Sequence, residues 1–334
     1  MRLFFLVPVL AVSFAGNGIA DTERPNFVVI VADDITYSDL PVFGGKNITT
    51  PNIDRLANEG MRFTRAYGAM SMCAPFRAEL YTGLYPLRNG VAWNHSSARP
   101  GTKSVCHHLA DLNYRVGMAG KGHAGPKSVF PWDHVSSRLG PKFKAGPAIK
   151  DYITKAPDQP FCLFINSFNA HPPWRDGDVT RLDADAVELP PVLHDNPPTR
   201  DTYTRYLAEI IAFDDQVGQV LALLRETGQE DNTLVLLSSE QGWDFCFGKW
   251  TNWDIGLHTG LIARWPGRIQ AGSTTDALVQ MADVLPTLIE ATGTDPAPYK
   301  LDGRSFLPVL RGQASRRRQY VYGLHNNVPE GTPY

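Results

Sequence analysis

Residues 26–32, NFVVIVA, form an unbroken apolar run rich in β-branched side chains, and the run stops at two consecutive aspartates. A strand that is apolar at every position has no solvent face, so it is expected inside a sheet covered on both sides. PFCLFINSF (160–168) and NTLVLLSS (232–239) repeat this pattern. MRFTRAY (61–67), RVGMAG (115–120) and GLIARW (260–265) are shorter strand candidates. Between them the apolar spacing changes to the helical period. TPNIDRLANEG (50–60) predicts a helix with Thr50 as N-cap, Pro51 at the first position and Gly60 past the end. Helices are also expected over about 75–82, in SVCHHLADLNY (104–114) and over 201–228, a long amphipathic run closed by Gly228. ADVLPTLIEATG (282–293) predicts a late helix bent at Pro286, and proline-rich loops are expected around 190–198 and 296–298. Strands alternating with helices predict an α/β fold, a doubly wound and mostly parallel sheet with helices on both faces. No internal repeat or low-complexity block interrupts it.

Polar residues gather where the strands end. Asp33 and Asp34 follow one strand, His171 a second, and Glu240 and Gln241 a third. Open α/β sheets bind ligands at the carboxyl ends of their strands, so the chemistry is expected there. Asp33, Asp34, Glu240 and Gln241 together offer oxygen donors only, a set suited to calcium or magnesium rather than zinc. The alternative is that the aspartates cap a turn and Glu240-Gln241 sits in an ordinary loop.

Composition narrows the setting. The chain has 334 residues, is 43% hydrophobic and carries a formal charge of −2. That supports a sizeable core and gives no bulk attraction to nucleic acid or an anionic membrane. The densest charge run, Arg316 to Arg318, reads as a solvated patch. Residues 1–20 read as an export signal: Arg2, the apolar stretch LFFLVPVLAV, and GIA ending at Ala20. The apolar stretch is too short to span a bilayer, and Asp21 follows the cut rather than a lipid-bearing cysteine. A soluble periplasmic or secreted protein without a membrane anchor is expected. Cys73, Cys106, Cys162 and Cys246 match no zinc spacing and are too sparse for a disulfide framework. Cys106 and Cys162 sit in apolar contexts and are expected in the core. Cys73 stands apart, just before Ala74-Pro75, where helices commonly begin.

CAPFRAELYTG, from Cys73, resembles the Cys-x-Pro-x-Arg signature of the formylglycine-dependent sulfatases, of the alkaline phosphatase superfamily. ADD after the first strand, GKGH (120–123), HPPW (171–174), SSEQG (238–242) and GKW (248–250) match that family in the same order. The similarity runs from about Pro25 to the end of the chain. GKGHAGPKSVFPWD also resembles the sulfamidase, or heparan N-sulfatase, branch. Phe76 stands where the family most often has a small polar residue. Glu240-Gln241 stands where it usually has Asp followed by Asn or His, so both side chains are longer by a methylene.

The resemblance implies an alkaline-phosphatase-like catalytic domain over residues 21–315. It implies hydrolysis of O- or N-sulfate on a sulfated carbohydrate, with Ca2+, or alternatively Mg2+, held by Asp33, Asp34, Cys73, Glu240 and Gln241. It implies that a formylglycine-generating maturation enzyme, a transient partner, reads Pro75 and Arg77 and oxidises Cys73 to Cα-formylglycine. An aldehyde hydrate has two hydroxyls on one carbon: one attacks sulfur, and the other collapses to the aldehyde and expels sulfate, a release step that serine lacks. Arg77 would hold the formylglycine, Lys121 and Lys249 the sulfate oxygens, His123 the second proton, and His171 would protonate the leaving atom. His95 and His258 are candidates for substrate contact or for plain structural roles. Trp174, Trp243, Trp250 and Trp253 are candidates for stacking on sugar rings or for core packing. Residues 316–334 are expected to begin a C-terminal antiparallel subdomain that stops short. Two rivals remain: a phosphoester or phosphonate hydrolase of the same superfamily, and a non-catalytic glycan-binding relative.

Overall fold

The computed structural model describes residues 24–140 and 143–325. The expected export signal and residues 326–334 lie outside the described residues. Among the described residues nine strands form one sheet: β1 (Asn26–Val31), β2 (Met61–Tyr67), β3 (Arg115–Gly120), β4 (Asp133–Ser136), β5 (Phe161–Asn166), β6 (Thr233–Ser238), β7 (His258–Arg264), β8 (Ser273–Thr275) and β9 (Val279–Gln280). Their order is β4-β3-β5-β1-β6-β7-β2-β8, with β9 also pairing with β2. All pairs are parallel except those of β7, which runs antiparallel to β6 and β2. The sheet is therefore mostly parallel, as the alternating pattern predicts.

The unbroken apolar run of β1 is buried at every position because it feeds two cores. Phe27, Val29 and Val31 face one layer; Val28, Ile30 and Ala32 face the other. Helices Cys73–Thr82, Val105–Ala110 and Val284–Ala291 pack on the first face. Helices Pro51–Asn58, Gly146–Thr154 and Pro197–Glu226 pack on the second. Cys106 and Cys162 are buried as expected. Among the described helices, none is long and apolar enough to cross a membrane.

Several local expectations change. Thr50 precedes helix Pro51–Asn58 but makes no side-chain cap; Asp214, far along the chain, accepts from the amides of Asn52 (3.0 Å) and Ile53 (2.8 Å) instead. Pro197 and Pro198 do not belong to a loop. They fill the first turn of the long helix, where no amide donor is needed, behind the Asn196 cap. Pro286 likewise falls in the first turn of Val284–Ala291, so it helps start that helix and does not bend it. Helix Gly146–Thr154, whose Ile149, Tyr152 and Ile153 recur at helical spacing, is not among the expected elements; strands β4, β8 and β9 have no clear sequence period and take their form from neighbouring strands.

Candidate active site

Because β1, β3, β5 and β6 are parallel, their carboxyl ends open at one edge. That edge receives Asp33-Asp34 after β1, Lys121 and His123 after β3, His171 after β5, and Glu240-Gln241 after β6. Asp34 and Glu240 adopt positive φ (54° and 56°), which turns the chain sharply as each strand ends.

The helix Cys73–Thr82 brings its first residue to the same place. Met72 before it is extended, Pro75 lies within its first turn, and the Ala74 amide donates to Asn94 Oδ1 at 3.1 Å. Gly83 closes the helix in the left-handed conformation (φ 64°), donating to the Glu79 carbonyl. All ten residues are buried. Phe76 fits because it lies against Gly68, where a Cβ would sit 2.6 Å from its ring. Glu79 fastens the helix by accepting from the amides of Ala69 (2.8 Å) and Ala282 (3.2 Å), and burial pushes its carboxyl up to about 8. Cys73 and Arg77, four residues apart, share one helical face.

Around Cys73 Sγ lie Asp33 Oδ1 at 3.5 Å, Asp34 Oδ1 at 3.9 Å and Gln241 Nε2 at 3.2 Å. Arg77 is fully buried: its Nε is 2.7 Å from Glu240 Oε1 and its Nη1 donates to the Lys121 carbonyl. Lys121 Nζ meets Asp33 Oδ2, and Lys249 Nζ meets Asp34 Oδ2 at 2.7 Å. Three carboxylates thus face three cations in a nearly water-free space.

Burial opposes ionisation of Asp33, but the hydrogen bond from Glu240 and the charges of Lys121 and Arg77 hold it well below the carboxylate range. Burial and the adjacent Asp33 raise Asp34 to about 6. Glu240 is pushed well above its ordinary range by burial; Arg77 opposes the shift, and Asp33 adds to it. Burial disfavours the charged form of both lysines, and the facing acids more than offset that. The Cys73 thiol is driven well up by burial and then by Glu240, Asp33 and Asp34. An unmodified Cys73 is therefore a neutral thiol at neutral pH and a poor nucleophile.

The residues present fit a hard divalent cation. Ligand atoms of Asp33, Asp34, Cys73 and Glu240 lie within 4.8 Å of one another. Glu240 Oε1 is already paired with Arg77 Nε, but among the described residues Gln241 Oε1 is buried without a hydrogen-bond partner. Gln241 turns its Nε2 towards Asp34 Oδ1 and Cys73; rotating the amide by half a turn brings the orphaned oxygen into the cluster. Crowded carboxylates and an unpaired buried oxygen are both relieved by a bound cation.

The histidines divide. His171 Nδ1 lies 2.6 Å from the Pro172 carbonyl, which only accepts, so Nδ1 carries hydrogen and Nε2 faces Asp34 Oδ2 at 3.8 Å. His123 Nε2 lies 3.1 Å from His95 Nδ1. Burial, then Lys121, Arg77 and His95, lower His123 to about 3, so it is a neutral partner at neutral pH. His258 stacks between Tyr37 and Tyr67 and meets the Thr64 carbonyl, a structural placement. Trp243 is buried in the core, and half-buried Trp174 stacks on Phe245, donates to the Ala170 carbonyl and packs against that core. Trp250 and Trp253 are exposed, and Lys249 Nζ lies 5.8 Å from the centre of the Trp250 ring. Sequence patterns did not reveal Asn94, which caps the Cys73 helix, or Asn166, which donates to the Lys121 carbonyl at 2.9 Å. Isolated asparagines carry no spacing signal.

A model of the Sulfatase family matches residues 25–137 and 145–294. The chain is 38% identical over 320 residues to an ulvan-active sulfatase from Formosa agariphila, covering 92% of this chain and 62% of that protein's length. It is 30% identical over 362 residues to human arylsulfatase A, covering 91% of this chain and 71% of the relative. In fold it is similar to a phosphonate monoester hydrolase from Silicibacter pomeroyi, with a TM-score of 0.76 at 20% identity over 87% of this chain and 77% of the other. The family match spans the strands that carry Asp33, Lys121, His171 and Glu240 together with the Cys73 helix, and the chain belongs to the sulfatase family.

Proposed function

We propose that this protein is an exported sulfatase that removes sulfate from a sulfated carbohydrate, with residue 73 matured to formylglycine beside a calcium ion. The observation that carries the reading is the buried group around Cys73: three carboxylates and one amide whose oxygen has no partner among the described residues, faced by three cations. Asp33, Asp34, Glu240 and Gln241 would hold the cation together with residue 73. The bound cation supplies positive charge that favours the ionised form of a neighbouring hydroxyl. The hydrated aldehyde supplies one hydroxyl for attack on sulfur and a second for release of sulfate.

The rest is done by residues of this chain. When all three are ionised, the carboxylates balance Arg77, Lys121 and Lys249, and the side chains together are close to neutral. A divalent cation raises the total to about +2, which suits a sulfate monoester of charge −1. Lys121 and Lys249 present their ammonium groups on Asp33 and Asp34 and stabilise the sulfate oxygens as charge builds on them. Arg77 holds residue 73 and Glu240 in register. His171, hydrogen-bonded through Nδ1 to Pro172, offers Nε2–H to the leaving oxygen or nitrogen. Trp250 and Trp253 at the rim supply flat apolar faces of the kind that pack on sugar rings.

Cys73 is completely buried in the folded chain, which supports maturation before folding is complete, while the helix signature is still extended. The name of the Formosa relative gives ulvan as the first substrate to try. The fold is common to sulfatases and phosphonate hydrolases, so the ester itself is the test. Protein coexpressed with a formylglycine-generating enzyme is expected to turn over 4-nitrophenyl sulfate in preference to 4-nitrophenyl phosphate and phenylphosphonate, and to lose that activity on chelation. Preference for either phosphorus ester would replace this reading with the phosphonate-hydrolase one. Retention of glycan without turnover by verifiably matured protein would replace it with a binding role.

A further inference from the structure

The segment that carries His171 is fastened by a residue outside the site. Glu209 lies on the long helix Pro197–Glu226 and is buried. Its Oε1 accepts from the amides of Asp176 (2.7 Å) and Gly177 (3.0 Å), and its Oε2 accepts from Asn169 Nδ2. One carboxylate thus grips both ends of residues 169–177, with His171 and Trp174 between them. Gln216, two turns further along the helix, donates through Nε2 to Asn169 Oδ1 at 3.0 Å.

The clamp continues into the cation cluster. The Asn169 carbonyl accepts from the Asp33 amide at 2.8 Å, and the Ala170 amide donates to the Asp33 carbonyl at 2.5 Å. At the far end, Gly177 lies so close to the helix that a Cβ would sit 2.4 Å from the Ala208 carbonyl carbon, so only glycine fits there. Three N–H donors converge on Glu209 and no cation is among them. An ionised carboxylate, which only accepts, satisfies all three; a glutamine amide would set a donor against one of them.

We infer that Glu209 is a positioning residue for the reaction: by holding both ends of residues 169–177 it fixes His171 over the leaving atom. The inference rests on the proton-donor role proposed for His171. Its consequence is selective. A misplaced donor matters most when the leaving group is a poor one, because a good one departs without protonation.

The test uses matured full-length protein carrying Glu209→Gln or, to displace the other end of the segment while keeping the Glu209 carboxylate, Gly177→Ala. His171→Asn serves as reference. The expected result is a fall of about 100-fold in kcat for an alkyl or sugar sulfate and of at most about 10-fold for 4-nitrophenyl sulfate, with KM for the latter little changed. In the same samples the His171 ring Cε1–H resonance, identified by its loss in His171→Asn, is expected to broaden or split. If a folded Glu209→Gln protein keeps the parent His171 resonance, or loses turnover equally on both substrates while that resonance is unchanged, the inference is overturned. If the resonance is disturbed but His171→Asn itself does not distinguish the leaving groups, the positioning stands and the proton-donor role falls.

Discussion

The loop that leaves β1 buries carboxylates at two places, and the two are built differently. Asp33 and Asp34 face Lys121, Lys249 and Arg77, next to Glu240, which Arg77 pairs, and Gln241 Oε1, which has no hydrogen-bond partner among the described residues. Asp39, a few residues on, has both oxygens occupied by neutral donors, the hydroxyls of Tyr203 and Tyr206 at 2.9 Å each. Tyr206 in turn accepts from the Thr36 amide. Burial alone marks neither group as functional. An orphaned oxygen beside paired cations marks a place for a ligand, whereas oxygens saturated by tyrosines mark a fixed turn.

The sharpest way to break this contrast is at residue 73. Cys73→Ala is expected to lower turnover by at least about 10,000-fold, since it removes the group that forms the covalent bond, while the thermal midpoint changes little. Cys106→Ala, in the apolar core, is expected to do the reverse: turnover holds, and about 1–2 kcal/mol of stability is lost to the cavity, read by denaturant unfolding. Next comes the cation. Glu240→Ala is expected to weaken calcium binding by about 100-fold in calorimetry, whereas Asp39→Asn leaves that affinity as it was. A drop in affinity in Asp39→Asn as large as that in Glu240→Ala would erase the distinction between the two groups.

The smallest effect concerns pH. Burial raises Asp39 from 3.8 to about 6, against the two tyrosine hydrogen bonds that lower it. Between those values the folded protein keeps a proton that the unfolded chain has released. Asp39 therefore contributes a stability that is full below the unfolded value, declines by about 3 kcal/mol as pH rises through the window, and is constant above it. Asp39→Asn is expected to flatten that part of the stability curve measured by urea unfolding, with turnover unchanged. An unaltered slope between pH 4 and pH 6 would show that Asp39 does not titrate there.

Much of this was legible in the sequence, for reasons that differ by residue. The β1 run announces a doubly covered strand because both faces need apolar side chains. Asp33, His171 and Glu240 could be grouped because parallel strands end at one edge and each residue lies shortly past its strand, whereas Lys121 is readable only through the GKGH motif. The Cys73 signature is a local motif, readable without the fold. What stayed hidden was long-range. Asp214 caps a helix whose own Thr50 looked sufficient, and Glu209, on a later helix, clamps the loop that carries His171. The tryptophans near the motifs were indistinguishable in sequence, yet Trp243 is buried at 2% exposure while Trp253 is 62% exposed. The packing that separates them comes from Tyr203 and Tyr206 on a helix about 40 residues earlier in the chain.

The central claim, that residue 73 leaves the ordinary amino acids to become the nucleophile, is tested most directly by mass spectrometry of the tryptic peptide spanning residues 66–77, from protein made with a formylglycine-generating enzyme. The account predicts an aldehyde at position 73, trapped as its hydrazone. A fully unmodified thiol in a preparation that turns over sulfate ester at the parent rate would contradict it.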